Sequence, residues 1–290
     1  MASYQIFIVD AFTDRPFSGN PAAVVPVPAS QPIVGTRMLQ IAAEMNLSET
    51  AFVVPKNANE PSTFQEASHF DLRWFTPKKE INLCGHATLA TAYVLFFKLH
   101  NISNELRFDT LGGELVVRRG TDGHLDMTFP IDIPRPVDIN DDVKLLVSSV
   151  YGEYRDSVEV ELSPALRFLI VHDPDTTRDH IIGLEPRFSP AAIAAGERLD
   201  LVAVLITARG AEKDFHSRVF GPWVGVGEDP VCGSAHTVLA PFWHRRLGKT
   251  SFSVTQVSKR HGDLEVKLLS DTHVQISGKA TAVIDGVISV

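Results

Sequence analysis

The sequence predicts an α/β (α+β) fold of two pseudo-symmetric halves, each an antiparallel, barrel-like sheet around one central helix. The pattern F-x-x-R-x-F-x-P occurs at residues 70–77 and again at 215–222. Each copy leads into a Cys-Gly pair and then an apolar segment, and the segments starting at Gly113 and Gly262 also match. Three pairs in the same order, offset by about half the chain, indicate two fused copies of one domain.

The first half contains short β-branched and aromatic runs that predict strands. These runs are 4–9, 22–27, 50–55, 70–75, 106–110, 114–119 and 124–129. Helices are predicted near 35–45, from apolar residues at helical spacing, and near 86–97. The second is apolar nearly all round, which places it in the middle of a curled sheet.

The second half repeats this order, with a central helix predicted near 234–246. Its predicted strands are 158–162, 167–172, 201–207, 216–221, 251–256, 263–269, 273–277 and 282–290. The Pro- and Asp-rich stretch 130–141 is the predicted linker. We assign 1–120, with the C-terminal strand 280–290, to the first half and 121–279 to the second, and expect the active site in the cleft between them.

Composition restricts the class of function. The chain has 290 residues, 44% of them hydrophobic, and a net charge of -8, so no electrostatic footprint for nucleic acid or an anionic membrane is expected. A small substrate is the default partner. The apolar start is short and broken by Asp10, which predicts a strand and no signal peptide. No apolar stretch approaches membrane-spanning length, and two cysteines in so long a chain indicate a reducing compartment such as the cytosol.

The two Cys-Gly pairs direct attention to the starts of the central helices. Backbone N–H groups there are unpaired and carry partial positive charge, which attracts carboxylates. Gly85 and Gly233 let a ligand approach the backbone closely. We therefore expect a small anionic substrate whose negative charge is stabilised when a neighbouring C–H loses its proton. Alternatively, each pair only makes a tight turn into a core helix.

Two kinds of side chain compete for the proton-transfer role. Cys84 and Cys232 are equivalent by repeat, and thiols at helix N-termini have lowered pKa values, as a two-thiol racemase requires. The alternative is that each is a small buried hydrophobe, which is the usual role of an unpaired cysteine. Glu49 lies between a predicted helix and an apolar strand, where desolvation would raise its pKa and suit it to carry a proton both ways. Its alternative is a solvated loop residue or a cap.

The remaining polar candidates are Asn20, His86, Asp229 and Ser234. Asn20 and Ser234 are also explained as a turn former or a cap, and His86 as a core histidine. The sequence contains no Walker loop, G-x-S-x-G or H-E-x-x-H motif. Cys84 with His86 is too sparse to predict a metal site.

The longest motifs resemble the PhzF-like family, particularly its eukaryotic members called phenazine biosynthesis-like domain or MAWD-binding proteins. They are "DAFTDRPFSGNPAAVV", "MNLSETAFV", "LRWFTPKKEINLCGHATLA", "GPWVGVGEDPVCGSAHTVL" and "AVIDGVISV". The resemblance covers essentially the whole chain and implies the diaminopimelate epimerase fold, often as homodimers. It also implies an isomerase that uses no cofactor and moves a proton along the ring of a dihydro-hydroxyanthranilate.

The resemblance implies a role for each candidate residue. Glu49 matches the general acid/base, and the residues expected to line the pocket and assist are Asn20, His86 and Asp229. Those expected to hold the substrate carboxylate or frame the site are Gly85, Gly233 and Ser234. Many family members have Thr in place of Cys232 and lack the cysteine at position 84. A two-thiol racemase using both cysteines, and a non-catalytic binding protein on the same fold, therefore stay open as alternatives.

Overall fold

The computed structural model describes residues 2–56 and 64–290. The chain forms two compact units, Met1–Phe129 with Ser277–Val290 (unit 1) and Pro130–Ile276 (unit 2). Residues 121–129 and 277–279, which the sequence pattern placed in the second half, belong to unit 1. For residues 125–129 the reason is that their strand pairs antiparallel with the strand before it, at Val117↔Met127.

In its described residues, the first part of the chain supplies eight strands and two helices of unit 1. The strands are β1 (Ser3–Ala11), β2 (Asn20–Pro26), β3 (Glu49–Pro55), β4 (His69–Phe75), β5 (Glu80–Ile81), β6 (Glu105–Thr110), β7 (Gly113–Arg119) and β8 (Leu125–Pro130). The helices are α1 (Gly35–Met45) and α2 (Gly85–Tyr93), and α2 continues as a π-helical turn, Val94–Lys98.

The second part supplies unit 2 and a final strand. Its strands are β9 (Arg135–Pro136), β10 (Glu159–Leu162), β11 (Phe168–His172), β12 (Ala203–Arg209), β13 (Phe215–Gly221), β14 (Val226–Asp229), β15 (Ser251–Gln256), β16 (Gly262–Leu268) and β17 (His273–Gly278). Its helices are α3 (Asp141–Tyr151), α4 (Arg178–Gly183), α5 (Pro190–Arg198) and α6 (Gly233–Leu247). The final strand, β18 (Ala280–Ser289), pairs antiparallel with β1 of unit 1.

The two units share one strand pattern. In unit 1, β2 runs parallel to β3, β3 antiparallel to β4, and β4 parallel to β6. In unit 2, β11, β12, β13 and β15 repeat this parallel, antiparallel, parallel sequence. The other described pairings are antiparallel. The predicted α/β fold of two similar halves is confirmed, with a few parallel pairings within each mainly antiparallel sheet, and barrel closure stays a prediction.

Each unit has one buried central helix at the predicted place. All residues of α2 from His86 to Ala92 are buried, and in α6 Gly233 and the residues from Ala235 to Trp243 are buried. In unit 1 α2 packs on β1, β2 and β3. A helix that is apolar on every side needs such an enclosure, which explains why these segments were recognisable from sequence.

Three helices of unit 2 were not predicted. The clearest signals belong to α3: the side chain of Asn140 accepts a hydrogen bond from the Val143 N–H, two aspartates follow in the first turn, and Gly152 ends the helix in a left-handed conformation. The stretch 130–141 is only partly a linker, because Arg135 and Pro136 pair with β10. Among the described residues, no helix is long and apolar enough to cross a membrane.

Candidate functional site

Two parallel strands of unit 1 bring Asn20 and Glu49 to the same end of the sheet. Asn20 is the first residue of β2 and Glu49 the first of β3, and the register places Ala22 opposite Glu49. The chain reaches β3 from α1, which ends at Asn46 in a left-handed conformation with φ 50°. Adjacent parallel strands start at one edge, so polar side chains at their first residues converge.

Gly19 determines the path of the backbone that leads into Asn20. Its φ is +64°, and a Cβ added there would lie 2.1 Å from the carbonyl oxygen of Ala11. Only glycine accepts both the left-handed conformation and this close backbone approach. The turn between β1 and β2 therefore delivers Asn20 in one position, and Asn20 is 1% exposed.

His86 contacts all the other side chains of a cluster in unit 1, which are those of Asn20, Ser48, Glu49 and Cys84. It lies in the first turn of α2, and its Nε2 is 3.1 Å from Glu49 Oε2 and 3.3 Å from Ser48 Oγ. Its Nδ1 is 3.2 Å from Asn20 Nδ2 and 3.5 Å from Cys84 Sγ. The side chains of His86 and Glu49 are 8% and 15% exposed, so their interaction is largely shielded from water.

The charges of this cluster follow from burial and pairing. Burial raises the pKa of Glu49, but the charge of His86 and hydrogen bonds from His86, Ser48 and Cys84 outweigh it and hold that pKa below its ordinary value. Burial lowers the pKa of His86, yet the negative charge of Glu49 and hydrogen bonds with Cys84 and Glu49 raise it well above its ordinary value. At neutral pH the pair is a carboxylate and an imidazolium.

The Cys84 thiol is protonated in this arrangement. Burial first, and then the negative charge of Glu49, raise the pKa of Cys84. Glu49 is therefore the partner that keeps the proton on His86. Both ring nitrogens of an imidazolium are hydrogen-bond donors. The Asn20 side-chain amide is therefore expected to turn its oxygen, the acceptor, toward His86 Nδ1.

Two predicted pKa directions are wrong. Glu49 was expected to have a raised pKa because of desolvation, but its ion pair with His86 reverses the direction. Both cysteines were expected to have lowered pKa values at helix N-termini. Burial raises the pKa of Cys84 and, together with the charge of Asp229, that of Cys232. The cost of desolvating a thiolate beside the negative charge of Glu49 or Asp229 exceeds the attraction of the helix start.

In unit 2 the residues equivalent by repeat gather at the start of α6. Cys232 precedes the first residue, Gly233, and its Sγ lies 3.2 Å from Ser234 Oγ. Asp229 ends β14, and its Oδ1 accepts a hydrogen bond from the Val231 N–H at 3.2 Å. The structure thus brings Asp229, Cys232, Gly233 and Ser234 into one short segment.

Sequence reasoning missed Gln256, which holds this segment. Its Oε1 accepts a hydrogen bond from the Cys232 N–H at 2.9 Å, and its Nε2 donates to the Asp229 carbonyl at 2.6 Å. Gln256 is fully buried at the end of β15. Nothing in the local sequence marks it, because its partners lie far away along the chain.

His236 has a structural role in α6. Its Nδ1 donates to the Cys232 carbonyl at 2.8 Å, as the Thr88 hydroxyl donates to the Cys84 carbonyl at 2.6 Å in unit 1. Burial lowers the pKa of His236 to about 4, so the ring is neutral at neutral pH. In each unit, the carbonyl of the cysteine that precedes the central helix thus accepts a hydrogen bond from a side chain four residues later. That side chain is His236 in α6 and Thr88 in α2.

Ser48 is a further member of the unit 1 cluster that the sequence did not single out. Besides its contact with His86, its hydroxyl lies 3.4 Å from the Pro21 carbonyl oxygen, which it can reach as a donor. Its position in the S-E-T motif was the available signal. One potential ligand atom from each of Glu49, Cys84 and His86 lies within 4.8 Å of the other two. The sequence counted only Cys84 and His86, because it could not show that Glu49 joins them.

Comparisons with known proteins agree along the whole chain. The profile described as "Phenazine biosynthesis-like protein" matches residues 9–286. An "uncharacterized isomerase" of Pseudomonas aeruginosa is 46% identical over 281 residues, covering 97% of each chain. A "phenazine biosynthesis-like domain-containing protein" of Rattus norvegicus is 40% identical over 292 residues, covering 98% of each chain.

Solved structures show the same fold. A phenazine biosynthesis protein of the PhzF family from Enterococcus faecalis superposes with a TM-score of 0.84 at 36% identity, covering 100% of both chains. A predicted epimerase from Pseudomonas aeruginosa, at 19% identity and a TM-score of 0.70 over 98% of each chain, shares the fold alone. The chain belongs to the PhzF family of phenazine biosynthesis-like proteins.

Proposed function

We propose that this chain is a cofactor-independent isomerase that moves a proton on a small carboxylate-bearing substrate, with Glu49 as general acid/base. The observation that carries this proposal is the buried pair of Glu49 and His86, 3.1 Å apart. Perturbed titratable groups held together in this way are typical of proton-transfer sites. The name of the isomerase relative from Pseudomonas aeruginosa supports the reaction class.

The charge state assigns the direction of the first step. Glu49 is ionised at neutral pH and accepts the proton from a substrate carbon. Because its pKa is lowered, it is a weak base, so the C–H bond must be acidified by a neighbouring carbonyl, carboxylate or diene. The substrate class therefore follows from the strength of the base.

His86 completes the step electrostatically. Once Glu49 is neutral, the imidazolium of His86 has lost its partner charge, and its positive charge remains beside the electron pair that developed on the substrate. A preorganised charge in a largely buried site stabilises such an intermediate. Glu49 then delivers a proton, either the one it removed or one exchanged with solvent, to a different carbon on the same face, which restores the ion pair.

The other expected residues have supporting positions. Asn20 and Ser48 hold the His86 ring through its two nitrogens. Gly85 begins α2, where backbone N–H groups are suited to a substrate carboxylate. The roles expected for Asp229, Gly233 and Ser234 stay predictions, as do the homodimer, the cytosolic location and a site shared by both halves.

Solvent exchange tests the proposal. Amino-acid and cyclohexadiene carboxylates are incubated in heavy water, and deuterium incorporation is followed by NMR. Glu49→Gln should slow incorporation by about 10²–10⁴-fold, the usual contribution of a general acid/base. Glu44→Gln is the matched control, since Glu44 is exposed on the preceding helix. Deuterium incorporation at the wild-type rate in the Glu49→Gln protein would refute the assignment of Glu49 as general acid/base.

The alternatives are separable. A two-thiol racemase needs one thiolate, whereas burial raises the pKa of both Cys84 and Cys232. Replacing both by serine with full turnover retained eliminates that mechanism. A non-catalytic binding protein predicts no exchange with any carboxylate in the wild-type chain.

A further inference from the structure

The Glu49, Cys84 and His86 side chains form a compact set of metal donors. Cys84 Sγ is 3.5 Å from His86 Nδ1, and Glu49 Oε2 is 3.1 Å from His86 Nε2. One ligand atom from each residue lies within 4.8 Å of the others. Around a tetrahedral zinc-class ion, with bonds of about 2.0–2.3 Å, ligand atoms are about 3.4–3.6 Å apart. Cys84 contacts Nδ1 and Glu49 contacts Nε2, so binding of one ion by all three residues requires the His86 ring, or the side chain on its other nitrogen, to rotate toward the ion.

The donor types select the class of ion. Sulfur and imidazole nitrogen are poor ligands for Mg²⁺ and Ca²⁺, and a mixed sulfur, nitrogen and oxygen set suits Zn²⁺ and its analogue Co²⁺. Three protein ligands leave one position of a tetrahedral ion open to solvent.

Charge balance permits occupancy. A divalent ion with one thiolate, one carboxylate and a neutral imidazole has no net charge, as the metal-free carboxylate, imidazolium and thiol also have none. Binding forms three metal–ligand bonds and releases the thiol and imidazolium protons to solvent. A buried site accepts a charge-neutral exchange far more readily than an added charge.

The ring of His86 is already oriented by outer partners. Asn20 contacts Nδ1 and Ser48 contacts Nε2, so whichever nitrogen binds the ion, the other keeps a polar neighbour. Metal-bound histidines almost always have such a partner on the second nitrogen.

A second group of donors in unit 1 is less suited. His69, Asp109 and Glu114 also lie within 4.8 Å of one another, but on the surface. Asp109 is bound by Lys56, and Glu114 Oε1 lies 3.0 Å from Arg107 Nη1. These cations occupy the carboxylates and repel a metal ion.

We propose that Glu49, Cys84 and His86 bind one zinc-class divalent ion, and that the bound ion stops proton transfer by engaging Glu49. The inhibition rests on the proposed function, whereas the binding does not. An isomerase of this kind is therefore switched off by free zinc and restored by a chelator.

Cobalt spectroscopy tests the binding on the whole chain. Protein freed of metal with a chelator is titrated with Co²⁺, and the thiolate-to-cobalt charge-transfer band is recorded, with Zn²⁺ competition giving its affinity. The wild-type chain should bind one ion with this band. Cys84→Ser should lose the band and bind Zn²⁺ at least about 100-fold more weakly, beyond the effect of losing an outer partner. Cys232→Ser, the equivalent change in unit 2, should keep both.

The outcomes separate the two proposals. Absence of the band in folded wild-type protein, or an unchanged band in the Cys84→Ser protein, overturns the metal site. A Glu49→Gln protein that keeps the band but binds Zn²⁺ more weakly supports the metal site independently of the cysteine variant. An unchanged Zn²⁺ affinity in the Glu49→Gln protein overturns the assignment of Glu49 as a ligand. A metal site with no exchange activity on any carboxylate refutes the isomerase alone. Full activity in the presence of bound zinc overturns the inhibition.

Discussion

The arginine of the repeated F-x-x-R-x-F-x-P motif forms an ion pair in each unit, and the contribution of each pair to stability can be predicted from its burial. In unit 2 the pair is Arg218 with Glu228. The Arg218 side chain is 8% exposed and its partner, Glu228, is 19% exposed. Arg218 Nε and Nη2 donate to the two carboxylate oxygens at 2.7 and 3.1 Å. Its Nη1 donates to the Ile181 and Leu184 carbonyls at 2.9 and 2.7 Å. Removing the carboxylate leaves a buried guanidinium without its countercharge.

The equivalent pair in unit 1 has the same geometry in more water. Arg73 Nε and Nη2 donate to Glu80 at 2.7 and 2.8 Å, but the two side chains are 38% and 23% exposed. Removing one partner of a buried ion pair lowers the free energy of unfolding by about 3–5 kcal/mol. Because Glu228 is partly exposed, we expect the lower value, about 3 kcal/mol, for the Arg218–Glu228 pair. An exposed pair is worth about 1 kcal/mol or less.

Native-state hydrogen exchange measures both. Glu228→Ala should speed hydrogen exchange of the β13 amides by about 150-fold, which corresponds to a loss of about 3 kcal/mol in local stability. Glu80→Ala should speed exchange of the β4 amides by about 5-fold, which corresponds to about 1 kcal/mol. Each variant serves as the control for the other. Equal effects, or a larger effect for Glu80→Ala, would refute the argument that burial sets the strength of these pairs.

Three further predictions concern the unit 1 cluster. Glu49→Gln should lower the pKa of His86 from its raised position above the ordinary value of 6.5, because the countercharge that opposes the effect of burial is lost; NMR titration of the ring checks this. The stabilisation from the pair should be full above 4.5, the ordinary pKa of Glu49, and below 6.5, that of His86. The difference in unfolding free energy between wild-type and Glu49→Gln protein should therefore be largest between these pH values. It should shrink as pH falls through the lowered pKa of Glu49 or rises through the raised pKa of His86, and a constant difference would contradict the pairing. Gly19→Ala should destabilise the chain by about 1–2 kcal/mol from its positive φ alone, and by more from the clash with Ala11, and should displace Asn20; urea unfolding and the His86 ring signals report both effects.

Much of the fold was predictable because it is encoded twice. The matching motifs, and central helices that are apolar on every side, identified the two halves and their buried helices without any structure. The helix α3 carries a clear cap at Asn140 and a terminal glycine at Gly152, yet the proline-rich stretch before it dominated the interpretation.

The site was predictable in its members and not in its electrostatics. Glu49 and His86 are far apart along the chain, so only the packing of α2 on β3 in the structure shows that they meet. The pKa direction of a carboxylate depends on that partner, and burial alone gave the wrong sign. Gln256 was missed for the same reason, since both of its backbone partners come from another segment.

The most direct test of the central claim follows a single label. A substrate deuterated at the carbon that loses its proton is turned over once in ordinary water, and the product is analysed for the label. If Glu49 both takes and returns the proton, a fraction of the deuterium reappears at the accepting carbon on the same face, and the Glu49→Gln protein forms no product at a comparable rate. A label-free product, formed equally fast by the Glu49→Gln protein, would contradict the account.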